Sequence, residues 1–239
     1  MFPDFTHADP TRTITIEQYK KMILSQPMDN LDALSLKFIH DLENNSKQIV
    51  EFGGNLGVHS KRMSLAGASV TMIDQINLPE NHFTQFGHDG CIFPKITHLQ
   101  KDFKNINEND LPEVIDVIYS QRALNYLDYQ STKKLLSMLF KKLADHGAIF
   151  ISLAGYDTEY GLTHKSRNSP IESRFDFLSD DMQDKHNIRH KICIYSRAEL
   201  ETLLTEVGFH RVSSFQSGFG NVKAMGFKSA CNPLDALAF

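Results

Sequence analysis

The sequence is poor in cysteine: among 239 residues only Cys91, Cys193 and Cys231 occur, far apart and with no C-x-x-C pair. That spacing excludes a disulfide framework and a structural zinc knuckle, and fits unpaired thiols in a reducing compartment. Long hydrophobic runs are lacking too, none approaching the roughly 20 apolar residues that a membrane helix needs. Met1-Phe2-Pro3-Asp4 sets an acid and a proline where a secretory leader would carry basic residues and an apolar run. The expected address is the cytoplasm, with no membrane partner. Positive charge is not in excess: 25 Lys and Arg stand against 29 Asp and Glu, for a net charge of −4. A chain without clustered cations has no electrostatic footprint for a phosphate backbone, which speaks against a nucleic-acid partner. Internal repeats and low-complexity tracts are likewise missing. The 41% of hydrophobic and 23% of charged residues are ordinary for a globular protein, and the length suits one large domain or a domain with an appendage.

What the sequence does contain is alternation. Two helical stretches open it, Ile16–Ser25 and Leu31–Glu43; in the second, Leu31, Leu34, Phe38 and Leu42 recur at spacings of three and four. From residue 48, short apolar runs alternate with helical periods, the pattern of a parallel sheet covered on both faces. The expected strands are Gln48–Phe52, Ser69–Ile73, Ile96–Leu99, Val114–Tyr119 and Ala148–Leu153, several of them apolar on consecutive positions. Gly67 and Gly147 stand where left-handed residues close helices. Ser196-Arg197-Ala198-Glu199 reads as a capping box opening a helix to Val207, stopped by Gly208. Val212–Gln216 and Lys223–Phe227, joined by a short Gly-rich link, read as a hairpin. The fold expected is therefore α/β, a doubly wound, mostly parallel seven-stranded sheet ending in an antiparallel hairpin. Residues 1–45 form a helical lead-in packing on or capping the core, and 46–239 the main domain. Residues 154–195, rich in His, Arg, Asp and Tyr, are too long for an ordinary connection and form a lid-like insert.

The stretch that carries chemistry is Ile49-Val50-Glu51-Phe52-Gly53-Gly54-Asn55-Leu56-Gly57. A strand ends in an acid, a tight Gly turn follows, and a helix starts near Val58. Glycine lets the backbone approach a ligand and adopt positive φ, and a helix N-terminus suits an anionic group. Seventeen residues beyond Gly57, Asp74-Gln75 places another acid at a strand end, where dinucleotide folds grip ribose hydroxyls.

On these residues the chain, from about 30 to 228, resembles the class I S-adenosylmethionine-dependent methyltransferase family, which is Rossmann-like. The family's first motif is an acid followed by glycines at alternate positions; here Glu51, Gly53, Asn55 and Gly57 stand, with Gly54 adding freedom. Asn55 departs from the usual glycine, yet Asn is the next-best residue for a left-handed conformation. The resemblance implies S-adenosyl-L-methionine as cofactor, with Asp74 on the ribose diol and Gln75 beside it. Asp102 would meet the adenine amino group and Phe103 flank the ring. Ser120 and Gln121, leading to Leu124-Asn125-Tyr126-Leu127, would line the methionine arm.

Rival readings leave less explained. A nicotinamide domain wants G-x-G-x-x-G, and Ser60 stands where the last glycine would fall. Asp116 reads as a charge exposed at the sheet's N-terminal edge, since ligands in such sheets sit at the carboxyl ends. His82, His88, Cys91 and His98 match no ligand spacing, so no metal is expected. The insert offers Tyr156, Asp157 and His164 for orienting a substrate or taking its proton, against the simpler reading of a polar surface loop. Tyr160, Arg167 and Arg174 accompany them. The C-terminal Leu234–Phe239 reads as packing or fraying. The function expected is methyl transfer from S-adenosyl-L-methionine to a small-molecule nucleophile by in-line displacement. The alternatives are a protein or tRNA methyltransferase, or a non-catalytic partner subunit that binds cofactor. The sequence leaves the acceptor atom, the catalytic base and the oligomeric state open.

Overall fold

Strands that are apolar on both faces need layers on both sides, and the structure supplies them. The computed structural model describes residues 27–43, 46–79, 82–83 and 96–230. The expected helix at 16–25, Cys91 and Cys231, His88, and the C-terminal run from 234 lie outside the described residues. The described elements run in the order α1 (Asn30–Asp41), β1 (Lys47–Phe52), α2 (Val58–Leu65), β2 (Ala68–Asp74), β3 (Ile96–Gln100), β4 (Ile115–Gln121), α3 (Tyr129–Lys142) and β5 (Leu143–Leu153). The short α4 (Glu159–Leu162) and α5 (Asp180–His186) follow, then α6 (Arg197–Val207), β6 (His210–Gln216) and β7 (Val222–Phe227).

The seven strands form one sheet in the order β3-β2-β1-β4-β5-β7-β6. The first five run parallel, with Phe52 opposite Ile73 on one side and Ser120 on the other. β7 enters antiparallel to β5 and pairs antiparallel with β6, so the Gly-rich link closes a hairpin as its length requires. Order reverses between β1 and β4, and the carboxyl ends of the strands splay there into a crevice.

Each face has its own core. On one, Leu31, Phe38 and Ile39 of α1 and Met63 of α2 pack on Ile49, Val117, Tyr119 and Phe150. On the other, Leu135, Leu136 and Leu139 of α3 and Leu200, Leu203 and Leu204 of α6 pack on Val50, Ile118, Ile149 and Ile151. A third, smaller cluster of Ala154, Leu178, Ile192 and Ile194 lies inside residues 154–195.

Helix ends follow their local chemistry. Asp29 and Asp32 form a capping box at α1 and Ser196 and Glu199 one at α6; Gly208, at φ 118°, ends α6. Gly67 is left-handed at φ 92° as expected. Gly147 is not. α3 ends at Lys142 with the extended Leu143 as its cap, Lys141 and Lys142 complementing the last carbonyls, and Gly147 lies within β5. The strand begins five residues early because Leu143 already pairs with Ile115 ahead of an irregularity. Asp116 is at the expected edge but is buried, not exposed: its carboxylate accepts from Gln48 N at 2.6 Å and faces His146 Nε2 at 2.7 Å. It ties β1, β4 and β5 together at the end away from the crevice. Among the described residues, no helix is long and apolar enough to cross a membrane.

Candidate functional site

The loop from β1 to α2 takes three left-handed residues at alternate positions, Gly53 (φ 77°), Asn55 (φ 50°) and Gly57 (φ 72°). Asn55 thus adopts the conformation that glycine takes elsewhere in the turn. Gly53 N donates to Ile73 O at 2.9 Å, which pins the turn to β2, and Gly57 N donates to Gly54 O at 2.8 Å, which closes the turn on itself. A Cβ on Gly53 would lie 2.3 Å from Ala123 Cβ, so glycine is needed there to let the segment after β4 close against the turn.

Asp74 ends β2 beside this turn. Its Oδ2 accepts from Asn55 N at 2.9 Å and its Oδ1 from Ile76 N at 2.9 Å. Each carboxylate oxygen keeps a lone-pair site for a further donor. One strand over, Asp102 accepts from Lys104 N at 2.9 Å, and Phe103 stands edge-on to Phe52 with centroids 5.6 Å apart.

These groups border a cavity of about 560 Å³. Gly53, Asn55, Asp74, Gln75, Asp102 and Phe103 line it from the β1–β3 side, with Lys104. Gln121, Arg122, Ala123, Tyr126 and Leu127 line it from the segment leaving β4, and Phe175, His190 and Lys191 from the insert. Cavities of a few hundred cubic ångströms lined by apolar surface and a few convergent polar groups are the usual seats of small ligands.

Four sequence candidates stand behind this lining. Gly54 packs on Met72, and Gly57 caps α2, with Phe83 in the space its Cβ would fill. Ser120 is fully buried, its hydroxyl without a partner among the described residues. Glu51 is 3% exposed and accepts from Ser60 Oγ. Burial raises its pKa to about 7, against the lowering effect of the Ser60 bond. A Cβ on Gly54 would come within 3.2 Å of Glu51 Oε2, which sets this carboxyl directly beneath the turn.

The insert is folded, not loose. Arg174, 3% exposed, forms a two-pronged pair with Glu199 at 2.9 Å on each prong and donates to Ser169 O and Ile194 O. The Tyr156 ring lies between Arg167 and Arg174, 4.6 and 4.7 Å from their guanidinium carbons, and its hydroxyl donates to Arg167 O at 3.0 Å. His164 is buried; Nε2 donates to Ile192 O at 3.1 Å, while Nδ1 accepts from Ser166 N at 3.2 Å. Asp157 accepts from Gln216 Nε2 at 2.9 Å. Tyr156, Asp157 and His164 therefore brace the insert and the β6–β7 link. None of them is among the described residues that line this cavity.

Lys104, Arg122, Ala123, Phe175, His190 and Lys191 are the lining residues that sequence reasoning missed. Arg122 carries a local signal, since it follows the last strand residue on the crevice side; its φ of 54° turns the chain there. Phe175, His190 and Lys191 carry none, because they reach the cavity only through the insert's fold.

Among curated proteins, no sequence matches the chain. Among solved structures, the chain is similar to Burkholderia thailandensis 1,6-didemethyltoxoflavin-N1-methyltransferase, with bound 1,6-didemethyltoxoflavin and S-adenosylhomocysteine. Identity is 13%, coverage 88% of this chain and 83% of that one, and the TM-score 0.59. A Methanosarcina mazei SAM-dependent methyltransferase is 17% identical over 80% of this chain and 96% of that one, with a TM-score of 0.56. The magnesium protoporphyrin IX methyltransferase of Synechocystis PCC 6803, with bound S-adenosylhomocysteine, is 12% identical over 88% and 92%, with a TM-score of 0.53. The chain spans only 55% and 59% of two longer neighbours, SibL and an O-methyltransferase family protein of Burkholderia thailandensis. At such identities these likenesses establish the fold, and its doubly wound sheet with terminal hairpin is theirs. Residues 19–214 match the family model described as "Methyltransferase domain", well over half of the sequence, and the chain belongs to this methyltransferase family.

Proposed function

We propose that the chain transfers a methyl group from S-adenosyl-L-methionine to a small-molecule nucleophile held in the same cavity. The observation that carries this is Asp74, whose two carboxylate oxygens edge the cavity while fixed to the left-handed turn and to their own strand end. A ribose diol needs two acceptors so held, and the cavity is of the size such a nucleoside requires. When bound, the cofactor supplies a methyl carbon on a sulfonium, open to in-line attack with the carbon–sulfur electron pair returning to sulfur.

The chain's own residues bind and aim. Asp74 holds the sugar and Gln75 borders it; Asp102 and Phe103 stand at the base. The turn from Gly53 to Asn55 approaches the methionine arm, with Gln121 beside it. Glu51 lies beneath the turn and ties it to α2 through Ser60, and Ser120 packs behind. Tyr126, Leu127 and the insert shield the reacting end from water and hold the acceptor in line, which is most of what such a displacement needs. Toxoflavin precursor and porphyrin, named for two of the structural neighbours, are small molecules, in keeping with an acceptor of that class.

The test is calorimetric titration of the purified chain with S-adenosylmethionine and S-adenosylhomocysteine. Micromolar binding is expected, and Asp74→Ala should weaken it by about 1–3 kcal/mol, the loss of charge-assisted hydrogen bonds. No heat from the wild-type chain, or full affinity in the variant, ends this reading.

A further inference from the structure

The cavity is not electrically uniform. Strand order puts Asp74 and Asp102, from the ends of β2 and β3, on one side of the β1 turn. Arg122 leaves β4 on the other side, and the insert, which follows β5, brings His190 and Lys191. Among the described residues, no acid lines the cavity from that second side. Nor does Arg122, His190 or Lys191 have an ion pair among the described residues. His190 stands edge-on to Tyr126 with centroids 6.4 Å apart, and the Lys191 ammonium lies 5.6 Å from the Phe177 ring. Asp176 of the insert acts electrostatically on Lys191 without an ion-pair contact, and its carboxylate accepts from Ser166 Oγ at 2.7 Å and from Phe177 N at 2.8 Å. Arg122 is close enough to Tyr126 and Tyr160 to act electrostatically on both phenols. Two aromatic side chains, Tyr126 and Phe175, complete this wall, with Lys104 5.8 Å from the Phe175 ring.

Cations that face a ligand cavity without a direct ion pair are matched when the ligand carries the opposite charge, and an arginine fork fits two-oxygen anions. Tyr126 and Phe175 supply flat apolar surface for a ring. We infer that the methyl acceptor is a small aromatic anion, its ring against Tyr126 and Phe175 and its carboxylate or phosphate on the Arg122, His190 and Lys191 wall. This rests on the methyl-transfer reading above and narrows its substrate class. The anion orients the acceptor; the methylated atom is a second group on the same ring, pointed toward the β1 turn.

The experiment uses the full chain saturated with S-adenosylhomocysteine, titrated with 2-naphthoate, 2-naphthyl phosphate and 2-naphthamide. At least one acid is expected to bind about tenfold or more tighter than the amide, and whichever acid leads identifies the anionic group. Arg122→Ala and Lys191→Ala should each erase most of that preference while S-adenosylhomocysteine affinity stays within about twofold and the melting temperature is unchanged. Equal binding of acid and amide, or no binding of any of the three, overturns the inference. So does a loss of S-adenosylhomocysteine affinity in Arg122→Ala as large as the loss of acid binding, because Arg122 would then serve the cofactor's own carboxylate. Failure of the wild-type chain to bind S-adenosylhomocysteine strikes the methyl-transfer reading itself and is visible before any acid is added.

Discussion

At Gly53 and Asn55 the same left-handed backbone is met by two different residues, and their substitutions should diverge. A methyl group on Gly53 meets Ala123 Cβ at 2.3 Å while φ stays at 77°, so neither the neighbour nor the backbone can yield cheaply. Gly53→Ala is expected to lose about 2 kcal/mol or more of stability, combining a left-handed penalty with overpacking. Asn55→Gly removes mild strain but adds freedom to the unfolded chain, and the two effects oppose each other. Its unfolding free energy, read from urea titration, should change by less than about 1 kcal/mol. If both variants unfolded at the same urea concentration, the turn would not be packed as described. The pair also shows what the sequence could carry. That Asn55 substitutes for glycine was legible from backbone preference alone. That Gly53 answers to Ala123, seventy residues away, was not, since the contact exists only once β4 lies beside β1.

Elements were legible where their signal is local. Consecutive apolar residues marked β1, β2 and β4, and Ser196 with Glu199 marked the start of α6. Gly147 misled because its glycine has another use: a Cβ there would run into Leu143 and Ala144 O, so it serves strand packing. The insert defeated sequence reading for a further reason. Its chemistry-bearing residues Tyr156, Asp157 and His164 are spent on its own interior, and its lining residues look like ordinary surface. Its stability is tied to α6 through Arg174, which is nearly enclosed, whereas Glu199 keeps solvent contact. Arg174→Leu removes the guanidinium donor from Ser169 O, Ile194 O and Glu199, which keeps only its Ser196 bonds, a loss of about 1.5–3 kcal/mol for charged hydrogen bonds. Local opening of such a unit is read by hydrogen exchange. Amides across 154–195 should exchange about tenfold faster or more in this variant, while β1 and β4 keep their protection. Under the proposed function, turnover should fall more than cofactor affinity. Equal acceleration over the whole sheet would show the insert to be part of one cooperative core.

For the molecule as a whole, two buried groups under α1 and the glycine turn push its pH dependence in opposite directions. Burial raises Glu51 from an ordinary 4.5 to about 7, so the folded state holds a proton that the unfolded state releases, and stability grows as pH falls from 7 to 4.5. Burial lowers His59 from 6.5 to about 4, so the folded state refuses a proton that the unfolded state accepts, and stability falls as pH drops from 6.5 to 4. Both sit in one polar layer: His59 Nε2 meets Ser35 Oγ at 3.0 Å, its ring lies 4.2 Å from Tyr119, and the Tyr119 hydroxyl donates to Asp32 of α1. Each slope integrates to about 3 kcal/mol at about 1.4 kcal/mol per pH unit. Over the shared window, from about pH 4.5 to 6.5, they nearly cancel. Single substitutions should uncover them, and comparison with wild type at each pH removes the contribution of every other carboxylate. Glu51→Gln, which mimics the protonated acid and can still accept from Ser60, should gain stability over wild type as pH rises from 4.5 to 7 and level off above that. His59→Gln, which keeps a side chain able to reach Ser35, should show the opposite trend, gaining on wild type as pH falls from 6.5 to 4. Urea midpoints of the three proteins across that range decide it. Differences from wild type that stay constant with pH in both variants would mean that neither side chain titrates inside the folded protein.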